Sequence, residues 1–121
     1  MSANDGRHGL SLLGAILLLL VAGASVQAET RVIELVVRGG ELPKEASIIR
    51  VRQGDDVTLR WTTDTPLTIH LHGYDLEKKL VPGASAPLRF TATATGRFPI
   101  EVHVPGARGD RTLGYLEVHP R

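Results

Sequence analysis

Val51–Asp75, "VRQGDDVTLRWTTDTPLTIHLHGYD", holds two alternating runs joined by a short break, and their phase decides the fold. Val57, Leu59 and Trp61 alternate with Thr58 and Arg60; Leu67, Ile69 and Leu71 alternate with Thr68, His70 and His72. Side chains two residues apart on a strand point the same way, so each run reads as a strand with one face buried. Gln53-Gly54-Asp55 supplies the turn before the first run, with Asp55 and Asp56 serving it because Asp bonds its own backbone there. Trp61 falls on the inward phase and is assigned to the core. His70 and His72 fall on the outward phase.

The same period extends in both directions. "RVIELVVR" sets Ile33, Leu35 and Val37 against Glu34, "GGELPKEAS" interrupts it, and "IIRVR" resumes it. Downstream, "APLRFTATA", "RFPIEVHV" and "LGYLEVH" alternate again, whereas "DLEKKLVPGAS" reads as the longest irregular segment, with a short helical turn expected near Leu76 to Leu80. Asp75 and Glu77 are read there as solvated loop charges. The expectation is all-β, a Greek-key sandwich of about seven strands. The expected core is Ile33, Leu35, Val57, Leu59, Trp61, Ile69, Leu71, Phe90, Phe98, Ile100, Val102 and Leu116.

The N-terminus carries Arg7, an apolar run from Leu10 to about Ala24, and Val26-Gln27-Ala28. This is the pattern of a secretory signal peptide over residues 1–28, removed after Ala28, leaving one domain over residues 29–121. The apolar run is shorter than the roughly 20 residues that a spanning helix needs, so no membrane contact is expected after cleavage, with a retained anchor as the alternative. The expected setting is periplasmic or secreted. There is no cysteine, which excludes disulfides, thiolate chemistry and a lipoprotein anchor. A formal net charge of +1 gives no reason to expect a nucleic-acid partner.

The order "QGDDVTLRW", "DTP", a following histidine, "VPG" before a long strand, and a Gly-aromatic strand running into a second "VPG" resembles the cupredoxin-like family of small exported copper-protein sandwiches. The resemblance spans nearly all of residues 29–121. It implies that His70 occupies the family's first histidine-ligand position, Val102 the cysteine, Ala107 the second histidine and Leu113 or a neighbour the methionine. The thiolate, second imidazole and thioether of a blue-copper site are thus absent, and with them the basis of its electron transfer. "HLHG" is also similar to the His-x-His-Gly ligands of multicopper oxidases, but those need several copies across two or more domains. No enzymatic activity is expected.

The family's strand order implies that His103 stands between the His70/His72 pair and the Glu117/His119 pair, with Glu101 in the same row. Neighbouring strands lie ~4.8 Å apart, so such side chains can converge on one ion. The expected metal ligands are His70, His72, His103 and Glu101. Imidazole suits Cu(II) and Zn(II), with copper ahead in affinity. His119, beside Pro120, is read as a frayed terminal residue outside the site. The expected function is copper carriage or buffering. The alternatives are a metal-free sandwich that binds a protein partner in an exported metal-transport or respiratory assembly, and an electron-transfer copper protein without thiolate.

Overall fold

The computed structural model describes residues 2–3, 14, 16–23 and 27–121. The elements are β1 (Thr30–Val37), β2 (Ile48–Arg52), β3 (Asp56–Thr63), β4 (Leu67–Leu71), β5 (Leu76–Leu80), β6 (Ala86–Thr91), β7 (Gly96–His103) and β8 (Arg111–His119), with a 3₁₀ turn at Lys44–Ala46. They form two sheets, β1-β3-β6 and β2-β8-β7-β4-β5. β1 runs parallel to β3 and β2 parallel to β8, while the remaining neighbours are antiparallel. The expected leader falls mostly outside the described residues. No described helix is long and apolar enough to cross a membrane.

The inward phase of each strand meets that of the facing sheet. Leu35, Val37, Val57, Leu59, Trp61 and Leu88 of the smaller sheet pack against Ile49, Val51, Leu67, Ile69, Leu71, Ile100, Val102, Leu116 and Val118 of the larger. Full burial of one such side chain contributes about 1.5–3 kcal/mol, so a change of phase anywhere would cost several times that. Ile33, Phe90 and Phe98 of the expected core are only partly buried. Ile33 lies on β1, an edge strand, and the two phenylalanines line the rim under the β4–β5 turn.

The expected helical turn at Leu76 to Leu80 is instead β5. Leu76 pairs with Leu71 and Leu80 with Leu67, closing a hairpin whose loop is His72-Gly73-Tyr74-Asp75. The charges of Glu77, Lys78 and Lys79 obscure the strand in the sequence. They suit its place at the sheet edge, where lysines discourage pairing with other chains.

One charged group lies inside the sandwich rim. Asp55 is 1% exposed. Its Oδ2 accepts the Arg52 backbone N–H at 3.0 Å and its Oδ1 the Glu29 N–H at 3.1 Å. The Arg121 guanidinium also reaches Oδ1. Burial pushes the carboxyl up, but the two N–H donors and the Arg121 and Arg31 charges outweigh it and hold Asp55 below the usual carboxylate value.

Candidate functional site

Because Ile69 and Leu71 are buried, His70 between them must face outward. It lies opposite Glu77 of β5 on one side and Glu101 of β7 on the other. His72 continues the phase one step past the end of β4, where its backbone N–H donates to the Pro99 carbonyl at 3.0 Å. N–H and C=O of one strand residue point to the same edge. The N–H that Pro99 lacks would therefore face His72, so only one bond of the usual reciprocal pair forms there, and the ladder ends at Leu71 with Ile100.

The turn that carries His72 is held from below. Gly73 has φ +82°, and a Cβ there would collide with the Phe98 ring. Asp75 also has positive φ, at 52°, a conformation that Asp adopts more readily than most residues. Between them Tyr74 packs its ring 5.0 Å from that of Phe90 and 5.1 Å from that of Phe98. Its hydroxyl donates to the Ala94 carbonyl at 2.8 Å and accepts from the Ala94 N–H at 3.1 Å.

This scaffold brings the two imidazoles together, with ring centroids 4.1 Å apart and planes inclined at 55°. His70 Nε2 lies 3.2 Å from Asp75 Oδ1, and His72 Nε2 lies 3.0 Å from Glu101 Oε2. The second approach is at charge-pair distance without hydrogen-bond alignment, and the buried His72 Nε2 has no hydrogen-bond partner among the described residues. Glu101 sits beside a β-bulge: Ile100 pairs with Gly114 and Glu101 with Thr112, which leaves Leu113 as the extra residue. Bulges bend a strand and re-aim its side chains.

His103 is not brought to this group. It pairs across the ladder with Thr68, one diagonal step from His70, a spacing of about 7–8 Å in an antiparallel pair. Its Nδ1 engages Asp110 Oδ1 at 2.9 Å. His119 is farther away, on β8, where its Nε2 lies 3.3 Å from Glu117 Oε1. It is not frayed: it pairs with Arg52, and its carbonyl accepts the Gln53 N–H at 2.8 Å. Each of these four histidines thus faces a carboxylate. Asp75, which the sequence offers only as a solvated loop charge, is the partner of His70, and Asp110, to which the sequence gives no role, is the partner of His103. The Asp75 contact needs the hairpin closure by Leu71 and Leu76, which the charged pattern hides.

No family model matches the sequence, and no curated protein matches it. Solved structures do resemble it. A chain of a heme-copper terminal oxidase dimer superposes with TM-score 0.64 at 19% identity, covering 75% of this chain and 65% of that one. A multicopper oxidase from Pseudomonas thermotolerans superposes at 0.58 with 25% identity, covering 78% and 31%. A copper-binding protein in its apo form superposes at 0.58 with 14% identity, covering 77% and 91%. The sandwich is cupredoxin-like. The chain spans less than two thirds of either oxidase chain.

A blue-copper site does not fit these residues. Beyond the missing cysteine, the carried-over ligand positions do not share a face: Val102 is 1% exposed and pairs with Ile69 in the core, whereas His70 points outward. Among the described residues, no three His, Asp or Glu side chains already form an ion cage. The donor set of two adjacent imidazoles and a carboxylate does fit the chemistry of a borderline divalent ion, and the unpartnered Nε2 of His72 is the atom such an ion would satisfy.

Proposed function

We propose that this chain is an exported copper-binding protein that takes Cu(II) at His70, His72 and Glu101 and carries or buffers it without catalytic turnover. The observation that carries the reading is the buried His72 Nε2, unpartnered and 3.0 Å from Glu101 Oε2, beside the His70 ring. A buried polar nitrogen without a partner is costly, and coordination would remove that cost. Copper is favoured over Zn(II) by the affinity order of nitrogen and oxygen sites. The resemblance to copper proteins, among them a copper-binding protein of which this chain covers 91%, supports the same cargo. Asp75 holds His70 from the other side. His103, with Asp110, stands one diagonal step away as an outer imidazole.

Titration with Cu(II) against a competing chelator, with paramagnetic resonance of the loaded protein, tests this. A one-to-one complex with nitrogen hyperfine coupling, lost in His72→Ala, is expected. Copper uptake unaffected by His70→Ala and His72→Ala would reject the site.

A further inference from the structure

β5 and β6 lie against each other on one side of the sandwich, which leaves β1 and β2 as open edges on the opposite side. Between these edges runs a cleft of about 360 Å³ lined by Arg31, Arg50, Val51, Arg52 and His119. Alternate backbone groups of an edge strand point away from its one neighbour. On β2 these are the groups of Ile48, Arg50 and Arg52, and because Asp55 takes both the N–H and the C=O of Arg52, those of Ile48 and Arg50 are the ones free to pair. Its side-chain lining is basic. Arg31 is 3.1 Å from Glu29 and Arg50 is 3.2 Å from Glu117, but no carboxylate among the described residues lies within ion-pair distance of the exposed Arg52. Glu117 is already shared with Arg97 and His119.

We propose that this cleft accepts an extended acidic segment of a partner protein, which adds to the β2 edge as a further strand and places carboxylates on Arg52 and Arg31. Two features select this occupant. The open edge supplies a short main-chain ladder at Ile48 and Arg50, which gives affinity for an extended chain, and the guanidiniums select those with acidic side chains. A second copy of this chain is disfavoured because it would bring the same arginines to the same edge. A small inorganic anion would engage the guanidiniums and leave the edge groups to water. The inference is independent of the metal site, which lies on the outer face around β4 and β7.

The test uses a synthetic capped octapeptide alternating Glu with Val, a counterpart with Lys in place of Glu, and a version of the acidic peptide N-methylated at alternate residues. Each is titrated into isotope-labelled protein while amide shifts are recorded. The acidic peptide should shift the amides of β2, and Arg31→Glu/Arg52→Glu should weaken it roughly tenfold or more, with unchanged circular dichroism. N-methylation should abolish binding in at least one of its two registers, since it removes the ladder donors. Equal binding of the Lys peptide, shifts confined to other strands, or indifference to N-methylation in both registers would overturn the proposal. Phosphate binding as tightly as the peptide would reduce the cleft to a small-anion site. A concentration-dependent dimer broken by Arg52→Glu would assign the edge to a second copy.

Discussion

The Asp55 carboxylate grips the chain at three distant points: the Arg52 N–H on one oxygen, and the Glu29 N–H and Arg121 guanidinium on the other. Its affinity for protons is lowered by folding, so its stabilisation is complete above the unfolded value of about 3.9 and is lost as pH falls through the folded value. Urea midpoints measured from pH 6 downward should hold steady until about pH 4 and then drop. In Asp55→Asn that acid limb should flatten. Asp55→Ala, which strands the donors and the guanidinium, should cost about 3 kcal/mol at neutral pH.

Gly73→Ala should destabilise the protein by about 2 kcal/mol, because the added methyl meets the Phe98 ring and the backbone has positive φ. Phe98→Leu in the same chain should return part of the loss. A double-mutant cycle of unfolding free energies checks the coupling; strict additivity would show that the ring is not the obstacle.

Tyr74→Phe removes a hydroxyl that both donates to and accepts from Ala94, and should cost about 1–2 kcal/mol. The His72 and Gly73 amides should exchange with solvent faster, since the loop loses its tie to residue 94. Hydrogen exchange followed residue by residue measures this.

Copper affinity should fall most in His72→Ala and His70→Ala, by roughly a hundredfold, and by about tenfold in Glu101→Gln, which keeps shape but removes charge. His103→Ala should change it by less than about threefold, because His103 is turned to Asp110. Protons compete for every one of these donors, so affinity should weaken as pH is lowered.

Val102→Cys should not yield the intense blue absorption of a copper–thiolate bond in the presence of Cu(II). The new thiol would point at Ile69 in the core while His70 remains on the other face of the sheet. An absorption spectrum decides the matter.

The alternation of residues 57–61 and 67–71 reveals most of this architecture in advance, because a strand with one face buried leaves its phase in the chain. Leu35, Trp61, Ile69 and Val102 are buried as that phase requires. β5 escapes because "LEKKL" has only its two ends apolar, and its strand character comes from pairing with β4 rather than from its own composition. The outward phase of His70, His72, Glu101 and His103 was equally legible. Phase does not convey position along the strands, however. Register places Glu101 beside His70 and His103 beside Thr68, and register depends on the hairpin length and the bulge at Leu113. The contact of Asp75 with His70 follows from the same hairpin.

β8, residues 111–119, is an interior strand of the larger sheet, flanked by β2 on one side and β7 on the other. Ile49 thus waits for Leu116, 67 positions further along, before it has a ladder partner. Closing so long a loop is slow and repays nothing until it is complete. While the chain emerges from a ribosome or a translocation pore, β4, β5 and β7 can pair, but β2 stays unpaired until the last strand arrives. The protein should therefore refold in a single late cooperative step, and until that step its β2 segment is the part most exposed to capture by a chaperone or by aggregation.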